Sequence, residues 1–325
     1  MKHFTLSSAL CLSLLSTPLF AQDKPGEGVT IRPIIGNIAE EFFQARIVYR
    51  ALADLGYTVA EPSQVEIQTA HLAVGTGDGD FYTAHWGTLH QAFFEESGGD
   101  AVLQKVGPFV EGMVQGYLID KPSYDAGVKN LGDLKDPAIA AKFDADGDGK
   151  ADLAGCVPGW GCERVIENHM TEYGLRDTVT HNQGEYNALM ADTIARFQNG
   201  KPILYFTWTP YWVSGALVPG KDVEWLDVPY TALPDGVEAE TTFEGKNLGF
   251  AVDNMYVLTT DKFLADNPPA AKLLAAIKID INDISAQNKL MADGESSSEA
   301  IDKHVTDWIA ANQAEYDGWL AAARQ

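Results

Sequence analysis

An alternation of β-type and α-type segments constrains this chain more than any other feature. Val29 to Ile35, rich in β-branched Val, Thr and Ile, reads as a first strand and stops at Gly36. The apolar period then changes from two to 3.6, with Ile38, Phe42, Phe43, Ile47, Leu52 and Leu55 on one face, Asn37 as the cap and Gly56 as the stop. Val65-Glu66-Ile67-Gln68 predicts a second strand and Phe81 to Trp86 a third, followed by a helix from about Thr88 through Phe94. Strand, helix, strand in this rhythm predicts an α/β fold, a parallel sheet with helices on its faces.

The rhythm resumes further on. Gln115 to Asp120 reads as a strand leaving the first unit, and Tyr186 to Phe197 as an amphipathic helix. Ile203 to Trp208 reads as a buried strand and Phe250 to Thr259 as a strand returning; helices such as Pro269 to Ile277 and Ile301 to Ala311 close the chain. The expected architecture is two lobes, residues 22–116 with 250–325 and residues 117–249. Open α/β sheets place ligands at the C-terminal ends of strands. Trp86 and Trp208 fall at such ends and Trp160 precedes a helix, whereas Trp212, Trp225, Trp308 and Trp319 read as packing residues.

The first segment, a basic Met1-Lys2-His3 followed by an apolar run to Leu15 and small Ala21, predicts a secretory signal over residues 1–21. It is too short to span a bilayer, and Cys11 would leave with it. Two cysteines remain, Cys156 and Cys162, an even count that in an exported chain implies a disulfide. Closing so short a loop stabilises by roughly 2–2.5 kcal/mol, so its role is to fix the loop's shape. The formal charge of −23, without a basic block, makes nucleic acid and anionic lipid surfaces poor partners, and no nucleic acid is expected to bind. Any bound anion must therefore be held by local dipoles.

Such dipoles are expected directly after Cys156-Val157-Pro158-Gly159-Trp160-Gly161-Cys162, where Glu163 to Met170 opens a helix closed by Gly174. The N–H groups of Gly161 and Cys162 lack partners at a helix start and suit a carboxylate. The Trp160 indole beside them suits a cation that cannot donate hydrogen bonds. Together they suggest a zwitterionic ligand, although the same loop also reads as a structural clasp. Asp144, Asp146, Asp148 and Asp152 match the first half of a calcium loop, with Gly155 where a twelfth-position Glu belongs. They would hold a structural calcium, or else form an acidic turn that needs no ion.

Three runs carry a resemblance over nearly the whole expected mature chain: Cys156 to Glu163, Thr178-Val179-Thr180-His181-Asn182-Gln183-Gly184, and Thr207-Trp208-Thr209-Pro210-Tyr211-Trp212-Val213-Ser214. The chain resembles the periplasmic glycine betaine/proline betaine binding proteins, soluble receptors of osmoprotectant ABC importers. The resemblance implies a two-lobed type II periplasmic binding protein with its ligand cleft between the lobes. It implies that Trp86, Trp160 and Trp208 box the quaternary ammonium. His90 and the backbone N–H groups of Gly161 and Cys162 would hold the carboxylate, and Cys156 and Cys162 would pair. The family often has Thr-Pro where Gly87-Thr88 precede Leu89-His90 here. The implied partner is an inner-membrane ABC permease; the protein is expected to be a periplasmic monomer that requires no cofactor and is not an enzyme.

Indole faces favour a large, weakly hydrated cation over Na⁺ or K⁺. Three desolvated faces at about 2 kcal/mol each give roughly 6, and micromolar affinity needs about 8. Carboxylate contacts must supply the rest, which would discriminate against choline. A receptor for choline or another quaternary ammonium solute is the nearest alternative. An exported enzyme is a further one, without a Ser-hydrolase, His-Glu-x-x-His or phosphate-loop motif to support it. A calcium-dependent adhesion module would rest on the Asp144 loop alone.

Overall fold

The computed structural model describes residues 24–325; the expected signal segment and Cys11 lie outside them. A nine-stranded mixed sheet organises the protein. Its strands are β1 (Pro33–Ile35), β2 (Ser63–Gln64), β3 (Phe81–Trp86), β4 (Leu103–Asp120), β5 (Ala151–Ala154), β6 (Val179–Asn182), β7 (Leu204–Thr209), β8 (Val223–Trp225) and β9 (Asp253–Thr260). The order is β2-β1-β3-β9-β4-β7-β5-β6, with β8 also on β4.

The 18-residue β4 belongs to both lobes. Its first part pairs with β9, from Leu103 opposite Thr260 to Met113 opposite Asp253. Its second part pairs with β7, from Val114 opposite Thr209 to Ile119 opposite Leu204. Each lobe has a parallel set, β2-β1-β3 in one and β7-β5-β6 in the other. The parallel-sheet expectation needs correction at β4 and β9, which run antiparallel to their neighbours where the chain crosses and returns.

Three local readings also differ from the structure. Residues 65–68 are not a strand: helix α1 (Glu41–Asp54) is followed by α2 (Ile67–Thr76), which buries Ile67, Ala70, His71 and Val74. Those positions have helical spacing; within four residues the polar Glu66 and Gln68 imitate a period of two. Asn37 does not cap α1, whose N-cap is Glu40; the Asn37 side chain instead donates to Glu66 Oε1 at 2.8 Å. The strand expected from Gln115 begins at Leu103, running through Gly107-Pro108 and Gly112, residues that locally read as strand breakers.

The chain's ends meet in the first lobe. Helix α3 (Gln91–Glu96) follows β3, and α4 (Gly161–Glu172) and α5 (Tyr186–Gln198) belong to the second lobe. C-terminal helices then return to α1: Trp308 stands edge-on to Phe43 at 6.4 Å and stacks on Trp319 at 5.9 Å. Trp225 covers β4 at Gly116, where a Cβ would lie 3.0 Å from the indole.

Candidate functional site

Trp86 is the last residue of β3, Trp208 sits near the end of β7 opposite Gln115, and Trp160 is the N-cap of α4. All three line one cavity, together with His90, Gly161 and Cys162. Its volume, about 40 Å³, exceeds several-fold the roughly 10–15 Å³ that one water needs on the same measure. It suits a small solute rather than a polymer.

Trp160 and Trp208 meet at 5.8 Å with ring planes 71° apart, forming two walls of a corner. Behind them stand two tyrosines without an assigned role in the sequence. Tyr211 stacks on Trp208 at 4.3 Å, and Tyr186 lies 4.7 Å from Trp208 and 6.3 Å from Trp160. Their hydroxyls are anchored: Tyr186 donates to the Phe206 carbonyl and Tyr211 to Asn187 Oδ1, each at 2.7 Å. Packing therefore holds the indole faces in orientations suited to a cation.

Directly after Trp160, Gly161 and Cys162 occupy the first helical positions of α4, so their N–H groups have no acceptor within the helix. No side chain of Trp160 caps them. The preceding loop is fixed by the Cys156–Cys162 disulfide, Cα atoms 6.0 Å apart. It is also fixed by His181 Nε2, which accepts the Cys156 N–H at 3.1 Å while Nδ1 bonds Glu167 at 2.8 Å. The run Thr178–Gly184 thus works behind the loop rather than in the cavity.

His90 is 2 % exposed. Its Nδ1 accepts the Trp86 N–H at 3.2 Å, which places the ring proton on Nε2 and makes that atom a donor. Burial, then the neighbouring His71, pushes its pKa well below 6.5, so the ring is neutral at pH 7. The turn before His90 needs no proline. Asp253 accepts the Thr88 and Leu89 N–H groups at 2.9–3.0 Å, and Gly87 lets the Tyr256 ring approach to where a Cβ would stand 2.8 Å away. His71 and His85 lie beside His90, with His71 Nε2 and His85 Nδ1 2.9 Å apart, a hydrogen bond that occupies the lone pair a metal would use.

No local signal marks Glu40 and Glu41, which enter the cavity wall with Gln44 from the start of α1. Their side chains are buried at 7 % and 4 % exposure. Charged residues at a helix start ordinarily read as solvated, and only the tertiary fold buries them. Gln115, brought in by the long β4, also lines the cavity. Away from it, ligand atoms of Asp144, Asp146 and Asp152 come within 4.8 Å of one another, while Asp148 lies outside that group. Asp144 accepts the N–H groups of Gly147 and Gly149 at 2.6 and 2.9 Å, and Asp152 holds Asn182 at 2.7 Å.

Residues 29–311 match the family model described as the substrate binding domain of ABC-type glycine betaine transport systems. The chain belongs to this family. It is 48% identical over 325 residues to the glycine betaine/proline betaine-binding periplasmic protein of Escherichia coli K12, covering 99% of this chain and 98% of that one. It is 47% identical to the glycine betaine-binding periplasmic protein OusX of Dickeya dadantii, covering 100% and 99%. The lactococcal OpuAC structure in its closed, glycine betaine-bound form superposes with a TM-score of 0.69 at 18% identity, over 90% of this chain and 99% of that one. A choline-binding protein in complex with choline gives 0.66 at 17%, over 91% and 96%. Family and fold make this chain a substrate-binding transport protein of two lobes. No helix among the described residues is long and apolar enough to cross a membrane.

Proposed function

We propose that the protein captures glycine betaine or proline betaine in the periplasm and delivers it, as a monomer, to an inner-membrane ABC permease. The observation that carries this reading is the meeting, in one small cavity, of three indoles with the free N–H groups at the start of α4. The quaternary ammonium sits among Trp86, Trp160 and Trp208, whose faces attract it without hydrogen bonds. The carboxylate receives the Gly161 and Cys162 N–H groups and His90 Nε2–H, which together with the helix dipole replace its hydration shell. Choline has no acid end to use these donors, so the same cavity holds it less tightly. Binding is the whole activity, with no covalent step.

Intrinsic tryptophan fluorescence titrated with glycine betaine, proline betaine and choline tests the assignment. Saturable quenching or shift by the betaines at micromolar concentration, with choline at least tenfold weaker, is expected. A flat betaine titration refutes it. The Asp144, Asp146 and Asp152 cluster is assigned a structural calcium not required for binding; calorimetry of chelator-treated protein with calcium alone tests this, and absence of heat removes it.

A further inference from the structure

Glu40 and Glu41 lie in the cavity wall without a lysine or arginine partner among the described residues. Glu41 is held by the protein: the Tyr82 hydroxyl donates to it at 3.4 Å and the Gly36 backbone also serves it. Glu40 faces the Trp208 side chain and lines both the cavity and the larger groove outside it, bounded by Val157, Tyr211 and Trp212. It thus touches the aromatic corner on one side and a route to solvent on the other.

A buried carboxylate with no counter-charge takes up a proton. Desolvation pushes Glu40 up to about 8, eased by Trp208, and pushes Glu41 well above the usual carboxylate range, with the charge of Glu40 adding to it. At rest the wall is therefore mostly neutral, which keeps it from holding Na⁺ or K⁺ in place of ligand. An alkylammonium pressed against Trp208 supplies the missing positive charge.

We propose that Glu40 is a further ligand-recognition residue: seating the quaternary ammonium drives its carboxyl to ionise, so capture releases a proton and tightens as pH rises. This rests on the betaine reading of the cavity. The step is balanced as Glu40–COOH giving Glu40–COO⁻ and H⁺, the proton leaving through the outer groove to buffer. The other titratable groups facing Glu40 keep their state near neutral pH. Tyr82, Tyr186 and Tyr211 are pushed up by burial and stay uncharged, Glu41 stays protonated beside the new charge, and His90 on the facing wall stays neutral.

Calorimetric titration of the whole protein with glycine betaine, at neutral pH in two buffers of unlike ionisation enthalpy, counts the protons released. The expected result is release of more than half a proton per ligand, with affinity rising between pH 6 and 8 by up to about tenfold per pH unit. Glu40→Gln should bind with no proton release and a flat pH profile. Equal heats in both buffers for a wild type that binds betaine overturn the proposal and leave the receptor reading intact. Undiminished proton release from Glu40→Gln also overturns it, by moving the proton to another group. Absence of betaine heat at every pH overturns the receptor reading itself. Should Glu40→Gln fail to fold, Glu40→Met, close in volume, takes its place in the same two-buffer comparison; loss of release supports the proposal and undiminished release overturns it.

Discussion

Gly161→Ala is the sharpest probe of the cleft, because this glycine is where the lobes touch. A Cβ at position 161 would stand 2.8 Å from the Leu89 carbonyl oxygen and 2.8 Å from Leu89 Cγ. The side chain could turn aside, but the carbonyl cannot: it belongs to the turn that Asp253 pins through the Thr88 and Leu89 N–H groups at 2.9–3.0 Å. Relief must come from parting the lobes. Overpacking of this kind costs about 1–3 kcal/mol, which converts to roughly 5- to 150-fold weaker binding. The helix itself loses nothing, since alanine is the better helix former. With the lobes free to part when no ligand bridges them, the apo melting temperature should be unchanged or higher while calorimetric affinity for glycine betaine falls. Gly184→Ala serves as control, its added Cβ meeting Leu189 only at 3.8–4.0 Å, ordinary contact. Gly161→Ala binding within twofold of wild type would refute the argument that the lobes close on this glycine.

Three further outcomes follow from the same geometry. Trp160→Ala removes one indole face, about 2 kcal/mol, and should weaken glycine betaine and choline alike by roughly 30-fold in fluorescence or calorimetric titration. His90→Leu removes a donor to the acid end, about 1.5–3 kcal/mol, and should weaken glycine betaine by roughly 10- to 150-fold with little effect on choline; an equal loss for both would count against the assigned orientation. The apo protein should melt highest near pH 6.5. Burial holds His71 and His169 at about 4 and His85 and His90 well below 6.5, so only the unfolded chain takes up these protons and stability falls as pH drops from 6.5 towards 4. Glu40, raised by burial from 4.5 to about 8, works in the opposite sense: its protonated native form loses stability as pH rises from 4.5 through 8. Four histidines outweigh the buried Glu40 and Glu41 below 6.5, and the glutamates dominate above it. Scanning calorimetry at half-unit pH steps checks this, and a maximum below pH 5 or above 8 contradicts it.

The disulfide loop, the helix it opens and the placing of Trp86 and Trp208 at strand ends were legible in the residues because each depends on local signals: cysteine count, cap positions and the period of apolar side chains. The motif around Trp160 by itself suggests a zwitterion. Local signals failed where a neighbour far along the chain decides the outcome. The strand Leu103–Asp120 persists through Gly107-Pro108 and Gly112 because β9 and β7 pair with it on either side of the lobe boundary. Ile67–Thr76 is a helix because its buried face has the first lobe's sheet to pack against. Glu40 and Glu41 read as a solvated helix start, and only the approach of Trp208, Tyr82 and the facing lobe takes them out of water. Burial is a property of the assembled chain, so the sequence could name the aromatic and anion-binding ends of the site, while the charge state of the wall between them was decided by tertiary structure alone.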